Sequence, residues 1–105
     1  MLDIGDKMPT FSLPTNGGGT LSSKDLKGKT VVMYFYPKDM TPGCTTEAQD
    51  FRDHAKAFEK ASAVVIGVSK DSVKRHDNFV AKQNLNFQLL SDENGSLCED
   101  FGVWL

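Results

Sequence analysis

Two runs of the chain are almost uninterrupted in apolar and aromatic residues, Val31-Val32-Met33-Tyr34-Phe35-Tyr36 and Ala63-Val64-Val65-Ile66-Gly67-Val68-Ser69. Both have the length and β-branched content of strands buried on two faces in the middle of a sheet. Between them the period changes. Ala48, Phe51, Ala55 and Phe58 recur at steps of three and four, while Glu47, Asp50, Arg52, Asp53, Lys56, Glu59 and Lys60 occupy mainly the other faces. That spacing predicts one amphipathic helix packed on the sheet. A helix between two such strands predicts parallel pairing through a right-handed crossover, the kernel of an α/β sandwich. Further on, Asp71 or Ser72 can cap a helix running to about Gln83, whose weaker apolar face is Val73, Phe79 and Val80. Phe87-Gln88-Leu89-Leu90 predicts a short third strand, Asp92-Glu93-Asn94-Gly95 a turn, and Ser96 to Phe101 a short helix stopped by Gly102. Residues 1 to 30 form a loop-rich lead-in. Extended pieces at Thr10-Phe11-Ser12-Leu13 and Thr20-Leu21-Ser22 flank the turn Asn16-Gly17-Gly18-Gly19, and Ser23 to Leu26 make one helical turn ended by Gly28. Trp104 is expected to pack against the core.

A chain of 105 residues supports one domain, 1–105, with a modest core. The net charge of −2 and the absence of a basic stripe give no reason to expect nucleic acid as a partner. No apolar run approaches a membrane span, and Met1-Leu2-Asp3-Ile4-Gly5-Asp6 lacks the basic and apolar regions of a signal peptide, so the expected location is cytoplasmic. In that reducing setting Cys44 and Cys98 are expected to be catalytic or inert thiols, not a structural disulfide. His54 and His76 lie on different predicted helices with no cluster of ligands nearby, which predicts solvated positions and no metal site.

The segment from Tyr34 to Glu47 is where chemistry concentrates. The strand breaks at Pro37, Thr41 is a good N-cap, and Pro42 suits the first helical position, which puts Cys44 in the first turn. Unpaired N–H groups and the positive end of the helix dipole favour a thiolate there. Gly43 leaves room beside the sulfur, and the Thr41 hydroxyl is placed to face the same pocket. The plain alternative makes Cys44 a small buried apolar residue, but a cap, a helix start and a glycine together favour a nucleophile. Lys38, Asp39 and Glu47 read as a solvated rim that tunes the local field.

Pro37-x-x-x-Thr41-x-x-Cys44 resembles the peroxiredoxin active-site motif, and Phe35-Tyr36-Pro37-Lys38-Asp39-Met40-Thr41-Pro42-Gly43-Cys44-Thr45-Thr46-Glu47 is similar to its peroxiredoxin Q, or bacterioferritin comigratory protein, branch. The likeness continues through Phe51-Arg52-Asp53, Gly67-Val68-Ser69, Leu89-Leu90-Ser91-Asp92 and Cys98-Glu99-Asp100-Phe101-Gly102-Val103-Trp104. It implies a thioredoxin-like fold and a cofactor-free thiol peroxidase acting on hydrogen peroxide and organic hydroperoxides. Cys44 would be the peroxidatic nucleophile, Thr41 would bind the peroxide and the sulfur, Pro37 would shield the site, and the Gly43 and Cys44 N–H groups would hold the substrate. The resemblance also implies two further strands and a terminal helix beyond Leu105, so a C-terminally truncated chain with strand 31–36 at an open edge is expected. It implies an arginine from that later part, whereas this chain has only Arg52, expected in a surface ion pair with Asp53 or Glu59, and Arg75. Reduced or absent peroxidase activity is the expectation. Gln49 stands where many relatives carry a resolving cysteine, and 71–84 contains none. That leaves Cys98, more plausibly a buried apolar residue, or an external thiol: thioredoxin, glutaredoxin or a small thiol. The chain is expected to be a monomer or a dimer. Two rival readings are a disulfide reductase, disfavoured because Cys44 is not part of C-x-x-C, and a silent module that oligomerises through its open edge.

Overall fold

The computed structural model describes residues 5–103. The expectation for Trp104 lies outside them. A small hairpin comes first, with β1 (Ser12–Pro14) paired antiparallel to β2 (Thr20–Ser22), followed by a 3-10 turn over Ser23–Leu26. Then β3 (Thr30–Phe35), α1 (Pro42–Asp53), α2 (Ala55–Lys60), β4 (Ala63–Ser69), α3 (Val73–Gln83), β5 (Gln88–Ser91) and α4 (Ser96–Phe101) follow. The sheet has the order β3-β4-β5 and is parallel throughout, with Tyr34 opposite Gly67 and Val68 opposite Leu90. This is the α/β architecture the pattern predicts.

Side chains alternate across a sheet, and that alternation divides the core in two. Val31, Met33, Phe35, Val64, Ile66, Val68 and Leu90 join Phe11, Leu21 and Leu26 from the hairpin region and Leu97 and Phe101 from α4. On the other face Tyr34, Tyr36 and Leu89 meet Ala48 of α1 and Phe79 and Val80 of α3. Gly67 is fixed by this second layer, since a Cβ there would lie 2.8 Å from Leu89 Cδ2 and 3.0 Å from the Tyr34 hydroxyl.

Two expectations need correction. The run 31–36 is not mid-sheet, as its apolar pattern alone predicts, but stands at the open edge expected of a truncated chain: among the described residues β3 pairs only with β4, and its side chains from Val31 to Phe35 are half-buried. The crossover through α1 seats β4 on one flank of β3, and no described strand takes the other. The predicted single helix is two, divided at His54 (φ −97°, ψ 16°). There the His54 ring meets the Asp50 carbonyl at 2.7 Å, sharing it with the His54 N–H at 3.1 Å. Elsewhere the local signals act as read. Ser72 Oγ accepts from the Arg75 N–H at 3.2 Å to start α3, and Gly102 at φ 73° ends α4.

Candidate active site

The strand-to-helix junction builds the site. Tyr36 N–H donates to the Val68 carbonyl at 3.0 Å, one step past β3, and the chain then turns through Pro37–Thr41 into α1. Thr41 is extended (φ −78°, ψ 150°), and its carbonyl accepts from Thr45 N–H at 2.8 Å, so its backbone caps the helix. Its side chain does not. The Thr41 hydroxyl instead donates to the Lys38 carbonyl at 3.0 Å, closing the loop on itself. Cys44, third in α1, is a free, half-buried thiol that packs against the layer containing Tyr36, Ala48 and Phe79. Gly43 is exposed, and a Cβ on it would meet nothing within 4 Å. Side chains added there would fill open space beside the nucleophile. In the first turn the Gly43 and Cys44 N–H groups lack intrahelical acceptors and lie at the positive end of the dipole. Thr41, Gly43 and Cys44 therefore share one helical turn, while Pro37 is exposed on the loop leading to it.

Two residues read as solvated are buried. Asp39 is 1% exposed and His76 0%. Asp39 Oδ1 accepts from the Tyr36 hydroxyl at 2.6 Å, and Oδ2 lies 2.7 Å from His76 Nδ1, whose Nε2 meets the Leu90 carbonyl at 2.9 Å. A second carboxylate braces the same loop. Asp71 Oδ2 accepts from Asp39 N–H at 2.7 Å and from Ser69 Oγ at 2.7 Å, and Arg75 bridges Asp71 Oδ1 (2.8 Å) and the Asp39 carbonyl (3.2 Å). Burial alone would raise the Asp71 carboxyl, but these donors outweigh it and hold it below the usual carboxylate range. Asp39, Asp71 and His76 bring ligand atoms within 4.8 Å of one another, a cluster the sequence reading did not foresee. The carboxylate oxygens are already engaged and Arg75 stands over Asp71, which suits a hydrogen-bonded brace better than a cation. The missed signal was His76's position, three residues after Val73 and three before Phe79, on the apolar stripe of α3.

Tyr34 stacks on Phe51, with ring centroids 4.4 Å apart, and its hydroxyl is buried without a hydrogen-bond partner among the described residues. Burial, then the nearby Glu47, Asp39 and Cys44, push this phenol's pKa up.

The other candidates are spent elsewhere. Arg52 pairs with Asp53 at 2.9 Å, as expected, and also donates to the Gln83 carbonyl at 2.6 Å, while Gln49 Nε2 donates to Gln83 Oε1 at 2.8 Å. Cys98 is 2% exposed, and burial, followed by the Asp92 carboxylate beside it, pushes its thiol up to about 12. Glu47 and Lys38 are exposed near the nucleophile, and His54 is exposed on its helix junction.

A thiol on the first turn of a helix that follows a parallel strand, in a sheet layered by helices and a hairpin, is the arrangement of a thioredoxin-like thiol enzyme, and the comparisons agree. The chain matches the AhpC/TSA family model over residues 4–105 and belongs to that family. It is 56% identical over 102 residues to a putative peroxiredoxin Bcp of Coxiella burnetii, covering 97% of this chain and 68% of the relative. Peroxiredoxin Bcp of Bacillus subtilis is 52% identical over 103 residues, with 98% and 66% covered. Among solved structures, peroxiredoxin Q of Xanthomonas campestris superposes with a TM-score of 0.85 at 49% identity, covering 87% of this chain and 58% of that one. Peroxidoxin BcpB of Mycobacterium tuberculosis gives 0.89 at 39% identity, with 93% and 64% covered. The chain thus spans between 58% and 68% of the length of these relatives. No described helix is long and apolar enough to cross a membrane.

Proposed function

We propose that the protein of which this sequence forms at least a part is a cysteine-based peroxidase. The observation that carries the proposal is Cys44 on the first turn of α1, half-buried, with Gly43 leaving the approach open. The Cys44 thiolate attacks one peroxide oxygen. The S–O bond forms as the O–O bond breaks, and the second oxygen leaves as an alcohol or water after taking up a proton, leaving a sulfenic acid. The Thr41 O–H is given to Lys38, so its Oγ keeps lone pairs to accept a hydrogen bond from the peroxide O–H. The first-turn N–H groups face the charge that develops on the departing oxygen. A thiol then attacks the sulfenic sulfur, an S–S bond forms and water leaves. A second thiol frees Cys44 and departs with the first as a disulfide. A structure of the Xanthomonas campestris bacterioferritin comigratory protein, solved to explain its alkyl peroxide reduction, superposes with a TM-score of 0.85 and supports organic hydroperoxides as substrates. Cys98, buried and kept protonated, suits a packing role, which makes the resolving thiol external: thioredoxin, glutaredoxin or a small thiol.

The test is mass spectrometry with a sulfenic-acid trap after one equivalent of hydrogen peroxide. Trapping is expected at Cys44, absent in Cys44→Ser and unchanged in Cys98→Ser. A Cys44–Cys98 disulfide would refute the one-cysteine scheme. The edge of β3 that no described strand pairs favours a second reading, a module that self-associates through that strand. A dimer in gel filtration with no trapping at Cys44 would select it.

A further inference from the structure

We propose that Asp39 and His76 are positioning residues for Cys44, the buried Tyr36–Asp39–His76 chain holding the 37–41 loop in the one conformation that aims the first turn of α1 at a peroxide. The proposal rests on the peroxidase reading. Within that loop Pro37, Lys38 and Met40 are exposed, so Asp39 is its buried anchor. The four polar atoms of Asp39 have partners on three parts of the fold: Tyr36 beside β3, His76 and Arg75 on α3, and Asp71 after β4. The tautomer is set by geometry. The Leu90 carbonyl can only accept, so His76 Nε2 carries a hydrogen, and a single proton is shared between Nδ1 and Asp39 Oδ2. Neither Asp39 nor His76 bonds Cys44, so both act through the backbone.

What the anchor restrains is visible in the next residue. Met40 has φ 70°, a left-handed conformation that a non-glycine residue holds only when its surroundings dictate it. It sits between two clamps, Arg75 on the Asp39 carbonyl and the Thr41 hydroxyl on the Lys38 carbonyl. Both clamps act on backbone carbonyls, and the Tyr36 and His76 bonds to the Asp39 carboxylate hold the loop against α3 so that they stay closed. With that carboxylate removed, Met40 is expected to relax toward negative φ and to turn Thr41 and the head of α1 away from their present orientation. In-line attack on an O–O bond is sensitive to such a turn, whereas alkylation of an accessible thiol is much less so.

The test compares Asp39→Ala with Asp39→Asn in the full 105-residue chain. Asparagine is close to isosteric. Its Oδ1 accepts from Tyr36 and its Nδ2–H donates to a neutral His76, so the loop stays held. Three quantities are read: the rate of sulfenic acid formation at Cys44 with hydrogen peroxide, the rate of iodoacetamide alkylation, and the urea midpoint. Asp39→Ala is expected to slow peroxide reaction on the order of tenfold or more while alkylation changes by less than about threefold. Asp39→Asn should stay within about threefold of wild type in both. Equal losses in Asp39→Asn and Asp39→Ala, an unchanged peroxide rate in Asp39→Ala, or peroxide and alkylation rates moving together would each overturn the proposal. Should Asp39→Ala not fold, Tyr36→Phe removes one hydrogen bond of the chain, and a loss confined to the peroxide rate is expected. An unchanged rate refutes. If wild-type Cys44 forms no sulfenic acid, the peroxidase reading fails for these 105 residues alone, separately from the positioning proposal. Positioning is then decided by hydrogen exchange. Amides 38–44 should exchange on the order of tenfold faster in Asp39→Ala with β4 unchanged, and equal loop exchange overturns it.

Discussion

Cys98 lies beside Leu97 at the head of α4, with the Asp92 carboxylate accepting from the Leu97 and Cys98 N–H groups at 3.1 and 2.9 Å. The helix start that would favour a thiolate at Cys98 is already occupied by that carboxylate, and burial adds to the cost of a second negative charge. Cys44 sits at another helix start, half-buried and with the Gly43 side open. On the proposed reading, in which Cys44 reacts and Cys98 does not, a place in a first turn is not enough by itself and these neighbours make the contrast. The residue scale also shows one misfit, the Tyr34 hydroxyl buried against Gly67 with no hydrogen-bond partner among the described residues. A buried polar group without a partner costs about 1–3 kcal/mol. Tyr34→Phe keeps the stack on Phe51 and removes the hydroxyl. It is expected to leave stability unchanged or raise it by about 1 kcal/mol, read as the midpoint of urea unfolding. A clear loss would mean that the hydroxyl has a partner in solution.

At the scale of elements, what was legible in the sequence was what local chemistry controls. The β4 run, the Pro42 start that sets Cys44 in the first turn, the Ser72 cap and the Gly102 stop all lie where nearby residues predict them. Ser72→Ala should therefore cost about 1 kcal/mol, seen as a lower urea midpoint with an unchanged slope, because Arg75 N–H loses its acceptor. The break at His54 was not legible, since the apolar steps Phe51, Ala55 and Phe58 run straight through it and the His54 N–H still reaches the Asp50 carbonyl at 3.1 Å. Nor was the burial of Asp39. An aspartate in a loop reads as solvated by default, and its partner His76 is 37 residues away in sequence. His76 itself could have been found from its place on the Val73–Phe79 stripe. The location of Cys44 was therefore readable, whereas the brace that orients it depends on contacts between distant segments.

Across the whole molecule, the two edges of the sheet are treated differently. The outer side of β5 is closed by the lead-in, where Thr15 bridges Leu90 and the Asn16 side chain accepts from Leu89 N–H at 2.9 Å. No described strand closes the outer side of β3. Tyr36 N–H points at β4, and backbone groups alternate along a strand, so the N–H groups of Val32 and Tyr34 also point inward while those of Val31, Met33 and Phe35 point out. Hydrogen exchange by NMR should show a comb along β3, slow at 32 and 34 and fast at 31, 33 and 35. Protection at all five in concentrated protein would mean that another strand has docked. Those three outward donors also form a ruler, spaced about 6.6–6.8 Å apart. A strand arriving at that edge is measured against its pitch one dipeptide at a time, and a slip of a single residue would present it with the wrong face of every side chain.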